Sequence, residues 1–250
     1  MGTVTGDGGQ VKALLFDVFG TVVDWRSGVI RDVTELARAK NAEVDAAAFA
    51  DAWRADYGPV MDLVRRGELP WAKLDDLHRR SLDRLLGEFG FAGLDESEKE
   101  WLNRCWHRLD PWPDAVPGLN RLKRRFVVAT FSNGNVSLLV DMAKRAGLPW
   151  DCVFSAELFR HYKPDPEFYL GAVELLGLTP PEVMLVAAHN NDLCAAAGQG
   201  LATAFVFRPG ELGPGHQDNQ APARDYTCTP ADFEDLAATL CGPADSTIRA

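Results

Sequence analysis

The sequence predicts an α/β fold, a parallel sheet covered by helices with a helical unit inserted near its start. Three observations carry this. Short apolar runs recur at residues 13–16, 126–131, 183–187 and 203–207, with a shorter run at 152–154. They are apolar on both faces, as strands buried between two helical layers must be. Helical stretches alternate with these runs, and strand–helix alternation specifies an α/β sheet. Residues 28–107 break the pattern: they hold no strand signal and are rich in Ala, Leu, Arg, Asp and Glu at helical spacing.

Taken in order, residues 1–10 read as a frayed start, and 13–16 as the first strand, ending at Asp17. The insert, 28–107, carries tryptophans at 53, 71, 101 and 106 and turn signals at Gly58-Pro59, Gly67, Pro70 and Gly90. The proline-dense DPWPDAVPGL from Asp110 to Leu119 reads as a rigid return to a core of residues 11–27 and 108–242. A helix over 136–146 follows the second strand and stops at Gly147, where a left-handed cap suits glycine. Asp165-Pro166-Glu167 predicts a helix start by N-cap, proline at the first turn and an acid behind it, and that helix runs over 166–176 to Gly177. Helices are expected over 193–199 and 232–240, with a Gly- and Pro-rich surface loop at 209–225 and a flexible tail at 243–250.

Composition narrows the function. The 250 residues are 46% hydrophobic and 25% charged, enough for a sizeable core. A net charge of -10 argues against nucleic acid or an anionic membrane as partner. An anionic small substrate would need cations supplied locally by its site. The five cysteines are scattered without a C-x-x-C pair, which fits a reducing cytoplasm and no zinc knot. The start of the chain lacks the basic and apolar segments of a signal peptide, and no run has membrane-spanning length.

In open α/β sheets ligands bind beyond the carboxyl ends of the strands. Asp17 follows the first run, Ser132 and Asn133 the second, and His189, Asn190, Asn191 and Asp192 follow 183–187, while Lys163 precedes a helix. An acid, a hydroxyl with an amide, a lysine and a second acid can thus converge from distant segments. Each has a plainer reading, as a turn former, a solvated charge, a helix cap or a satisfied loop histidine. Their joint placement favours a site.

These motifs resemble those of the haloacid dehalogenase superfamily, in family order: Asp17 in FDVFGT, Ser132-Asn133 in ATFSNGN, Lys163 in HYKPDPEFY and Asp192 in LVAAHNNDL. The likeness spans nearly the whole chain, and the insert sits where that family's cap sits on its Rossmann-like core. More narrowly the chain is similar to the type II haloacid dehalogenases, through the aromatic Phe19, Tyr169 in KPDPEFY, the P-W-P-D return and Trp53-Arg54. The resemblance implies that Asp17 is the nucleophile, that Lys163 keeps it ionised, and that Thr21, Ser132 and Asn133 hold it and the substrate carboxylate. It implies a halide-side role for Arg54 and Phe19, and for Tyr169 the orienting of Lys163 or the lining of the pocket. Asp192 would orient or activate water. Where the type II enzymes often carry a serine and an asparagine before the last acid, this chain has Ala187 and His189. His189 then stands in as a hydrogen-bonding group or as the base, its ordinary pKa lying near neutrality.

The chemistry expected is metal-independent hydrolysis of short 2-haloalkanoic acids to 2-hydroxy acids through an aspartyl ester, with no cofactor. The family's phosphatases carry an acid two residues after the nucleophile to protonate the leaving group; halide needs no proton, and here the position is Phe19. Poor oxygen ligation around Ala187 and Ala188 disfavours Mg²⁺. The alternatives are a Mg²⁺-dependent phosphatase, a hydrolase of another carbon electrophile such as fluoroacetate or a strained ring acid, and a non-catalytic relative in which Lys163 and Asp17 lie apart. Backbone N–H groups near Gly20 and after Asn133 are further candidates for binding the substrate carboxylate. The insert's tryptophans could bury a homodimer face or form the insert's own core.

Overall fold

The structure, a computed structural model, describes residues 5–6, 9–213 and 221–242. Within the expected frayed start, β1 (Thr5–Gly6) pairs antiparallel with β2 (Gly9–Gln10), while residues 1–4 and 7–8 lie outside the described residues. Then follow β3 (Ala13–Phe16), β4 (Val23–Asp24) and the helices α1 (Trp25–Ala39), α2 (Ala46–Arg65), α3 (Leu74–Glu88) and α4 (Glu96–Asn103). A 3-10 turn, Arg104–Arg108, leads to β5 (Asp110–Pro111), α5 (Ala115–Leu122), β6 (Val127–Ser132), α6 (Val136–Ala146), β7 (Cys152–Ser155) and α7 (Ala156–Phe159). The chain closes with α8 (Pro166–Leu175), a 3-10 turn at Pro180–Glu182, β8 (Val183–Ala187), α9 (Asn190–Gly198), β9 (Ala202–Phe205) and α10 (Phe233–Cys241). The 243–250 tail and residues 214–220 of the expected loop lie outside the described residues.

The central sheet has five strands in the order β7-β6-β3-β8-β9, every pairing parallel. Its strands are buried nearly throughout, which is why they read as unbroken apolar runs. β3 is central, between β6 and β8. The strand order reverses on either side of it, and the crevice beyond its end is where such folds place a ligand.

The insert forms no strand between β4 and β5. Asp24 caps α1 by accepting from the Ser27 N–H, Asp45 caps α2, and Asp95 and Glu98 form a reciprocal capping box on α4. Gly58-Pro59, expected to turn the chain, lies inside α2. Proline removes one helical hydrogen bond, but α2 packs on both α1 and α3, burying Phe49, Ala50, Trp53, Val60 and Met61, and that burial keeps the helix continuous. Trp53 and Trp106 are buried in this unit's own core. Trp71 stacks on Tyr162, and Trp101 carries Arg108 on its face.

The proline-rich return is more than a spacer. Asp110–Pro111 pairs antiparallel with Val23–Asp24, so both crossings between insert and sheet run through one two-residue ribbon. Trp112 Nε1 donates to the Gly20 carbonyl at 2.8 Å, and Asp114 takes both ends of the Arg208 guanidinium at 2.9 and 2.8 Å. Arg208 Nε also donates to the Thr21 carbonyl. The turn after β3 is therefore clamped from two sides. Asp165 stands at the N-cap of α8 with Pro166 behind it, as expected, but makes no cap hydrogen bond. Arg65 takes its carboxylate instead.

Candidate active site

The turn after β3 holds Asp17 at the bottom of a cavity of about 440 Å³. Lys163, from the loop before α8, places Nζ 3.0 Å from Asp17 Oδ1 and 2.5 Å from Asp192 Oδ2. Thr21 Oγ1 donates to Asp17 Oδ2 at 2.7 Å and accepts the Ala188 N–H at 3.0 Å. Tyr169 donates its hydroxyl to Asp192 Oδ1 at 2.6 Å, so it acts on the lysine through Asp192. His189 bridges two acids: Nδ1 lies 2.8 Å from Asp17 Oδ2 and Nε2 2.8 Å from Glu211 Oε1.

The electrostatics follow from this packing. Burial alone would raise the Asp17 carboxyl, but the charge of Lys163 and the hydrogen bond and charge of His189 outweigh it and hold Asp17 well below the carboxylate range. Burial, with the nearby charge of Asp17, raises Asp192 against the pull of Lys163. Burial would lower Lys163, yet its two carboxylates raise it. Burial likewise opposes the charged His189, but Glu211 and Asp17 push it up to about 10. A carboxylate at each ring nitrogen favours the imidazolium form. Glu211 stays ionised because His189 offsets its burial.

A stability prediction arises here. The folded-state pKa of His189 is raised from 6.5 to about 10, so its charge contributes stability fully present below pH 6.5, declining above it and gone beyond about 10. The Tm of the wild type is expected to fall across that window more steeply than that of His189→Gln. Thermal denaturation at stepped pH checks it, and parallel curves would contradict it.

The aromatic wall joins Phe19, from the turn after β3, to rings of the insert. Phe19 is buried, meeting Trp106 edge-on at 5.8 Å and Tyr57 at 6.2 Å. The Arg54 guanidinium lies 4.2 Å from the Tyr57 ring centre and 5.5 Å from that of Trp25. Among the described residues it forms no ion pair; it lines the cavity, and its charge acts on the Glu211 carboxylate across it. His78, stacked on Trp106 at 4.4 Å, is pushed down to about 3 by burial and adds no competing charge.

Asp17, Phe19, Arg54, Asn133, Lys163, Tyr169, His189 and Asp192 all line one cavity, and Thr21 braces the first of them. Ser132 does not reach it: its hydroxyl accepts the Gly134 N–H at 3.1 Å and so shapes the turn. Asn133 lines the cavity while its Oδ1 accepts the Lys163 backbone N–H. Of the backbone donors near Gly20 and after Asn133, three are engaged within the protein: Gly20 N–H on the Val23 carbonyl, Gly134 N–H on Ser132 and Val136 N–H on Glu157. Tyr57 and Glu211 are among the lining residues that carried no sequence signal. Tyr57 looked like any helical aromatic. Glu211 sits in the stretch read as surface loop, yet it is 3% exposed, folded over the missing side chain of Gly20. A Cβ on Gly20 would lie 2.1 Å from Glu211 Oε1.

A divalent ion finds little to hold it. The Lys163 ammonium already lies between Asp17 and Asp192, Phe19 offers no oxygen, and among the described residues no three acids, histidines or cysteines are grouped to ligate a metal. No helix of the described residues is long and apolar enough to cross a membrane.

Comparison with known proteins agrees with this architecture. The haloacid dehalogenase-like hydrolase family matches residues 11–200. A defluorinating L-2-haloacid dehalogenase of known structure is 50% identical, with a TM-score of 0.92 over 94% of this chain and 96% of that one. The (S)-2-haloacid dehalogenase of Xanthobacter autotrophicus is 32% identical over 207 residues, covering 80% of this chain and 76% of that protein. A structure of the Xanthobacter autotrophicus L-2-haloacid dehalogenase with chloropropionic acid covalently bound is 25% identical, with a TM-score of 0.77 over 94% of this chain and 100% of that one. The chain belongs to the haloacid dehalogenase-like hydrolases, in the branch of the L-2-haloacid dehalogenases.

Proposed function

We propose that the protein hydrolyses short (S)-2-haloalkanoates to 2-hydroxyalkanoates in two steps, through an ester on Asp17 and without a metal ion. One observation carries the reading: a buried carboxylate kept ionised by Lys163 at 3.0 Å and His189 at 2.8 Å faces a wall of Phe19, Tyr57 and Arg54. That wall has a cation for a departing anion and no acid for a departing alkoxide.

In the first step an Asp17 oxygen attacks the halogen-bearing carbon. The carbon–halogen bond breaks and halide leaves with its electron pair toward Arg54. Asp17 is then an ester and no longer charged, so one of the two anions holding the His189 proton has gone. The imidazolium releases that proton to solvent, the proton of the net acid produced. Nδ1 is left free toward the ester, while Glu211 holds Nε2–H. In the second step water attacks the Asp17 carbonyl carbon as Nδ1 takes its proton. The tetrahedral adduct expels the hydroxy acid, which takes that proton from His189. Asp17 passes its remaining proton to the ring, restoring the ion pair. Asp192, with both oxygens occupied by Lys163 and Tyr169, anchors the lysine. The insert between β4 and β5 serves as the lid that brings Arg54 and Tyr57 to the reaction. Arg54 and Lys163 are the local cations that an anionic substrate needs on a chain of net charge -10.

Fluoride belongs among the leaving groups. The 50%-identical relative is described as defluorinating, and an unpaired guanidinium suits an anion that accepts strong hydrogen bonds. The test is halide release from each enantiomer of 2-chloropropionate in EDTA, beside a phosphate ester with Mg²⁺. Chloride from the (S) enantiomer alone is expected. Mg²⁺-dependent phosphate release without halide would overturn the reading.

A further inference from the structure

We propose that Trp25 is a positioning residue for ester hydrolysis, holding Glu211 against His189 through its indole N–H. The proposal rests on the reading that Glu211 and His189 deliver the water. Trp25 is buried and is the first residue of α1, immediately beyond the ribbon strand β4. Its Nε1 donates to Glu211 Oε1 at 3.2 Å, the same oxygen that His189 Nε2 meets at 2.8 Å. A buried carboxylate oxygen bound on one side only can swing about its own side chain. The second donor, with the space left by Gly20, fixes the line from Glu211 through the ring to Asp17.

The face of the same indole is occupied separately. Arg54 lies 5.5 Å from its ring centre, and Trp106 stacks on it at 6.2 Å with planes 21° apart. Face and edge can therefore be told apart. Trp25→Phe keeps an aromatic seat for Arg54 and removes the N–H. It is expected to leave the first-turnover halide burst unchanged and to slow hydrolysis roughly tenfold, the scale of one hydrogen bond to a charged acceptor.

The experiment is a double-mutant cycle with Glu211→Gln, in which rapid-quench halide release reports the first step and steady-state turnover the second. If Trp25 acts through Glu211, Trp25→Phe slows hydrolysis in the native background and has almost no effect once Glu211 is Gln. An equal loss in both backgrounds, or a loss shared by the halide burst, overturns the proposal. If Trp25→Phe does not fold, Trp25→Leu, which likewise offers no donor to Glu211, gives the same comparison. Unchanged hydrolysis in Glu211→Gln sinks the water-delivery reading itself. A slow Glu211→Gln beside an unaffected Trp25→Phe sinks the Trp25 assignment alone.

Discussion

Asp17→Asn is expected to lower turnover of 2-chloropropionate by at least about 10⁴-fold, the scale on which removing a covalent nucleophile acts. The physical reason is twofold. An amide oxygen is a poor nucleophile toward saturated carbon, and the substitution removes the anion around which Lys163 and His189 are arranged. Halide release followed by ion chromatography measures it. Single turnover of the native protein in heavy-oxygen water adds an independent reading, because hydrolysis at the aspartyl carbonyl leaves label in Asp17. Label appearing only in the hydroxy acid would mean that water attacks the substrate directly, and appreciable turnover by Asp17→Asn would remove the nucleophile assignment. Serine in place of any cysteine should leave turnover intact.

His189→Gln should separate the two halves of the reaction. Glutamine can still donate toward Asp17, so the first attack is preserved, but it cannot accept a proton from water. Loss of a general base lowers a proton-transfer step by about 10²–10⁴-fold. The expected record is a burst of one halide per active site, then turnover slower by that factor, with the alkylated protein visible by intact mass. Equal slowing of burst and turnover would assign His189 to holding Asp17 alone. The Nδ1 contact at 2.8 Å to the nucleophile makes this comparison decisive.

The strands and three of the charged site residues were legible for one reason. A parallel strand buried on both faces is an apolar word of four to six residues, and the polar residue ending it must face either solvent or a ligand. Asp17 and Asp192 follow such words, and Lys163 stands before a helix start that proline marks. What stayed hidden depends on contacts between remote segments. Glu211 meets Trp25 across 186 positions, and its neighbours Pro209, Gly210 and Gly213 advertise solvent. Its burial is decided by the absence of a side chain at Gly20, far away in sequence. Ser132 shows the converse, because motif order placed it at the strand end while the backbone turn claimed its hydroxyl. Pro59 shows packing overriding a local breaker.

The pairing of Val23–Asp24 with Asp110–Pro111 has a consequence for how such an enzyme can change. The whole helical insert departs and returns through a single doorway whose jambs stand one strand spacing apart, about 4.8 Å. It is thus an interchangeable part: another module could be spliced at that threshold without straining the β-layer beneath. A transplant would alter which molecules are admitted, but it would also have to carry its own indole and guanidinium, because the acid at 211 and the departing anion both lean on furniture that the module brings with it.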